Sequence, residues 1–63
     1  MDRLSQHILK EIAAERQQYE RALLDGHAKD FAEYRNTAGV IRGLTQAEYI
    51  IKDLVQKLEK LDE

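Results

Sequence analysis

Between Val40 and Leu61 the apolar residues Val40, Leu44, Ala47, Ile51, Leu54, Leu58 and Leu61 recur at alternating intervals of four and three. This is a heptad seam, and a seam carried over that distance requires one long helix with a partner along its length. Nothing upstream is forced to break it, because the chain has no proline and its glycines stand only at 26, 39 and 43. Gly26 is the natural hinge. Before it, Leu4, Ile8, Ile12, Tyr19 and Leu23 recur at helical spacing, and Asp2 is placed to accept from the first free N–H groups. A first helix is therefore predicted from about residue 3 to 24, closed by Gly26 as a left-handed residue, with a turn over residues 25–30.

Asp30-Phe31-Ala32-Glu33 reads as a capping box with Asp in place of Ser or Thr, which opens a second helix over about residues 31–61. A rival reading breaks this helix at Gly43, since Thr45-Gln46-Ala47-Glu48 is itself a capping pattern. The seam keeps its phase across Gly43, which favours a continuous or mildly kinked helix. The expected fold class is all-α: a single domain over residues 1–63, a two-helix antiparallel hairpin that assembles into a homo-oligomeric helical bundle.

Length turns the oligomer from an option into an expectation. A chain of 63 residues buries only about 60% of the surface its unfolded form exposes, and needs a staple or a partner. It has no cysteine, so disulfides and thiolate metal sites are excluded. With the turn near residues 27–28, facing positions add to about 55, and helix 1 is expected to run out opposite about residue 53. Leu54, Val55, Leu58 and Leu61 would then lie beyond it, covered by another subunit, most simply in a four-helix dimer. The same register predicts that Gly39 and Gly43 are notches where the two backbones approach closely.

Ten Lys+Arg against 12 Asp+Glu, a net charge of −2, argues against a general nucleic-acid or acidic-lipid binder. No apolar run spans a membrane and no basic region leads into an apolar core, so a soluble intracellular protein is expected. No Ser-His-Asp set, Walker loop, HExxH motif or dinucleotide fingerprint is present, and a hairpin offers few rigid elements for catalysis, so no enzyme, cofactor or metal is expected. His27, without a second ligand nearby in sequence, is a poor metal candidate.

The residues that stand out for binding are Phe31, Arg35, Ala38, Arg42 and Tyr49, a stripe opposite the helix 2 seam. Two arginines flanked by aromatics suit a planar, anionic ligand through stacking and bidentate hydrogen bonds. The same composition suits a second subunit interface. Lys29 and Tyr34 join the stripe near the turn, with Lys29 at a helix N-terminus that favours an anion. Asp30 is read as a cap alone. Glu15 falls within the apolar stripe of helix 1 and is expected to be half-buried, paired with Arg35 or Arg42.

Gly26-His-Ala-Lys-Asp-Phe-Ala-Glu-Tyr-Arg35, followed by Gly39-Val-Ile-Arg-Gly-Leu44 and the heptad tail, resembles a group of short helical-hairpin proteins of tailed bacteriophages. Their pattern is approximately AKD(F/Y)xxYR then GxIxGL, matched here by Ala28, Lys29, Asp30, Phe31, Tyr34, Arg35, Gly39, Ile41, Gly43 and Leu44. The resemblance covers about residues 20–58 and implies a phage protein acting in the cytoplasm of the infected host. Two functions are expected from residues and resemblance together. One is a non-enzymatic oligomer that sequesters a small anionic, nucleotide-type ligand in intersubunit pockets built from Lys29, Phe31, Tyr34, Arg35, Arg42 and Tyr49, against host defence signalling. The other is a structural or assembly protein docking on a capsid, portal or host protein. Nucleic-acid binding, as in the plasmid RNA-binding Rop hairpins that this chain is similar to in architecture alone, is the weaker third.

Overall fold

The computed structural model describes residues 1–61, which form two helices, α1 (Arg3–Leu24) and α2 (Phe31–Leu61), packed against each other as a hairpin. Each end has a local cause. Asp2 sits in extended backbone and its carboxylate accepts from the Ser5 N–H at 2.7 Å and the Ser5 hydroxyl at 3.1 Å, satisfying an orphan donor of the first turn. At the other end Gly26 adopts φ 73°, where a side chain would be strained. That conformation lets the Gly26 N–H donate to the Leu23 carbonyl at 3.1 Å and the His27 N–H to the Ala22 carbonyl at 3.0 Å, the paired bonds of a Schellman motif. α2 opens on Asp30, whose Oδ1 accepts from the Glu33 N–H at 2.8 Å. Glu33 reaches back to the Lys29 N–H at 3.2 Å, one residue earlier than the expected box.

α2 continues without a break through Gly39 and Gly43. The Thr45 hydroxyl, the rival N-cap, instead donates to the Ile41 carbonyl at 2.8 Å, one turn back inside the helix. Neither glycine is a notch between the two helices. A Cβ built on Gly39 or Gly43 would meet nothing within 4 Å, so both face open space.

The register also differs from expectation. The Met1 ammonium meets Glu59 at 2.8 Å, so the start of α1 lies alongside the last turns of α2 instead of ending opposite residue 53. The turn occupies residues 25–30 as expected, but the helices pair asymmetrically about it, with facing positions adding to between 60 and 64. Half-buried positions trace the seam between the helices: Ser5, Leu9, Ile12, Arg16, Glu20 and Leu23 on α1, and Thr37, Ile41, Leu44, Glu48, Ile51 and Val55 on α2. The predicted seam is half-buried at Val40, Leu44, Ala47 and Ile51 and exposed at Leu54, Leu58 and Leu61, so the ladder that meets α1 is rotated from it toward Thr37, Ile41, Glu48 and Val55.

Val55 therefore packs within the hairpin, a correction to its assignment as an overhanging residue. Leu54, Leu58 and Leu61 remain more than half exposed because they point sideways, not because they lie beyond α1. No described residue is buried, and the molecule is a rod of 50 × 17 × 12 Å, a layer about one helix thick. No helix among the described residues is long and apolar enough to cross a membrane.

Candidate functional site

α2 holds Phe31, Tyr34, Arg35, Ala38, Gly39 and Arg42 around one surface concavity of about 390 Å³. Spacings of three and four residues put these side chains on one flank over the first turns of the helix. Phe31 and Tyr34 stack at 6.2 Å between ring centroids with 16° between planes, forming an aromatic wall at the loop end. Phe31 is 70% exposed, so its outer ring face is open. Across the hollow, Gly39 withholds a side chain and leaves room beside the arginines. Neither Arg35 nor Arg42 has a carboxylate within 4.0 Å among the described residues, so both guanidinium forks are available to an anion.

The hollow thus gathers Phe31, Tyr34, Arg35 and Arg42, four of the predicted ligand residues. Lys29 is exposed in the turn before α2 and does not line it; its backbone N–H is already taken by Glu33. Tyr49 lies on the same flank two turns further on, about 10 Å along the axis from Arg42. There it lines a separate concavity of about 520 Å³ with Ile50, Lys52, Asp53 and Gln56.

Mid-seam, Arg16 joins Glu48 and Glu20 in a charge cluster between the helices. Arg16 Nε donates to Glu48 Oε1 at 2.6 Å across the seam, and its Nη1 donates to Glu20 one turn on. The hydrogen bonds to Glu48 and then Glu20 hold the guanidinium even more firmly protonated than usual. The expected half-buried Glu15 is exposed instead, and its pairing with Arg35 or Arg42 does not form. The helix phase is one residue away: Arg16 turns inward, and its long apolar stem covers the seam while its head finds Glu48. The available signal was the second four-three ladder through Thr37 and Glu48, hidden because two of its members are polar.

Compared with protein-family models, with curated proteins and with solved structures, the chain shows no match to any of them.

Proposed function

We propose that this is a non-enzymatic bacteriophage accessory protein, a homo-oligomer that sequesters a small anionic, nucleotide-type ligand and so blunts host defence signalling in the infected cell. The carrying observation is the convergence of the unpaired Arg35 and Arg42 with the Phe31–Tyr34 wall on one hollow. Phosphate oxygens suit the two guanidinium forks, and a base suits the exposed aromatic face. The lining contains no carboxylate and no histidine, which fits retention of a ligand without turnover. The phage assignment rests on the Ala28-Lys29-Asp30-Phe31 and Gly39-to-Leu44 patterns. An open hollow on a single helix leaves most of a nucleotide in water, so a neighbouring subunit is required as its cover, with Lys29 and Tyr49 placed to contribute from the flanks.

The test is calorimetric titration with a panel of cyclic dinucleotides and ADP-ribose-type nucleotides. One class is expected to bind, and Arg42→Ala should weaken it at least about tenfold, the loss of a charge-assisted hydrogen bond, while the oligomer is unchanged. No binding across the panel, or dissociation of subunits by Arg42→Ala, would overturn the reading.

One observation favours the docking alternative. From Phe31 to Tyr49 the stripe runs about 27 Å, longer than a small ligand needs, and Tyr49 is 67% exposed. Presence of the protein in purified virions would favour a structural or assembly partner instead.

A further inference from the structure

Beyond the ligand hollow, the hairpin carries a second unexplained surface. Leu4, Ile8 and Tyr19 on α1, and Ile50, Leu54 and Leu58 on α2, are all exposed. On each helix these positions are rotated by about 60–140° from the interhelical ladder in the same sense, which in an antiparallel pair brings both stripes to one face of the layer. The Arg35–Arg42 flank is rotated the other way, so a subunit on this face leaves the ligand hollow open and the cover of the hollow comes from a further subunit. The chain exposes 5398 Å², whereas a compact monomer of 7.3 kDa would expose about 4,200 Å². The excess, about 1,200 Å², is more than the roughly 800 Å² that each partner buries in a standard interface.

We infer that this face is covered by a second copy of the chain, related by a two-fold axis perpendicular to the helices, with the two loops at opposite ends. The inference goes beyond the ligand reading and stands without it. What selects a second copy over any other partner is self-complementarity, the condition that a two-fold interface imposes. On α2 the small or polar Asn36, Gly43 and Ala47 precede a midpoint between Glu48 and Tyr49, and the large Leu61, Leu54 and Ile50 follow it at matching distances. Antiparallel packing of α2 on its copy about that midpoint seats Leu54 on Gly43, Leu61 beside Asn36 and Ile50 beside Ala47. Gly43 is then explained: its open Cβ direction is the seat for a partner leucine.

α1 has a symmetry point of its own near the same height. Leu4 and Tyr19, and Ile8 and Glu15, are symmetric about a midpoint between Glu11 and Ile12. Met1 meets Glu59 and Arg16 meets Glu48, so the α1 midpoint stands level with a stretch of α2 between Glu48 and Asp53. The two midpoints lie within about 6 Å of each other along the rod, close enough for slight sliding of the helices to bring them onto one two-fold axis.

The chain has no cysteine, which makes cross-linking a clean test. Gly43→Cys with Leu54→Cys should oxidise to a covalent dimer, since two residues so far apart on one helix cannot pair within a chain. Gly43→Cys with Leu61→Cys, a register one heptad away, should link at least about tenfold more slowly. Equal rates for the two pairs, or no dimer from the first, would overturn the register. Sedimentation of the unsubstituted protein gives the second arm: a monomer at tens of micromolar would overturn the two-fold assembly itself.

Discussion

Among the described residues Arg16 and Glu48 are the only ion pair in which both side chains are largely withdrawn from water, and that sets them apart from the solvent-facing pairs such as Lys57–Asp53. An exposed pair contributes little, whereas removing one member of a shielded pair strands the other. Glu48→Ala is therefore expected to lower the melting temperature more than Glu20→Ala, because the Glu48 side chain is 12% exposed and that of Glu20 40%. Circular dichroism melts of the two variants side by side check the order. Asp2 behaves differently. Its carboxyl is held below the usual aspartate range, first by the Ser5 N–H and then by the Ser5 hydroxyl. The cap therefore acts in full above the ordinary aspartate pKa and is lost as pH falls through the lowered native value. The Ser5 amide resonance should titrate with Asp2 below the ordinary range; a midpoint at or above it would refute the cap. Caps such as Asp2, Gly26 and Asp30 were legible in the sequence because each depends only on neighbours within a turn. Glu15 and Arg16 were not, since choosing between adjacent residues requires the phase of a helix to be known within one position.

At the scale of the element, α2 contains two ladders with the same four-three spacing. One, through Val40, Ala47, Leu54 and Leu58, is almost entirely apolar, half-buried at its first two positions and exposed at its last two; the other, through Thr37, Ile41, Glu48 and Val55, is half-buried throughout. Both use Leu44 and Ile51. Hydrophobicity alone finds the first ladder and says nothing of which partner it meets, so the hairpin was legible and its facing register was not. The turn from 25 to 30 was read correctly, and the error lay in placing the point of reversal at its centre, whereas Met1–Glu59 and Arg16–Glu48 pair the helices asymmetrically about it. The start of α2 depends on Asp30, and Asp30→Ala should cost about 1 kcal/mol, read by chemical denaturation. Gly43→Ala separates two states of the same helix. In a lone hairpin it should stabilise by up to about 1 kcal/mol, since alanine is the better helix former and its Cβ meets nothing. With a partner leucine seated on Gly43, the added methyl should instead weaken association, and the dimer constant measured by sedimentation decides between them.

The whole molecule is a sheet of two helices with a polar-aromatic flank on one side and an apolar face on the other. Such a layer has no interior, and its radius of gyration of 14.9 Å exceeds the roughly 11 Å expected of a compact chain of this length. Folding and association should therefore be one process. The melting temperature is expected to rise steadily over a hundredfold increase in protein concentration, whereas an unchanged value would mean that the hairpin is stable alone. The candidate ligand residues were legible as a stripe because helical spacing groups them. Their division into a hollow near the loop and an isolated Tyr49 was not, because it depends on distance along the axis and not on the flank they share.

The absence of any buried residue among those described reaches into the life of the protein in a cell. A lone hairpin, with none of its described residues fully buried, offers proteases little protected chain, and the two-fold pairing inferred above would supply the missing cover. Slow synthesis would feed degradation, while a burst of translation would outrun it. The quantity of chain made in a short interval, more than its intrinsic stability, then decides whether the folded form accumulates at all.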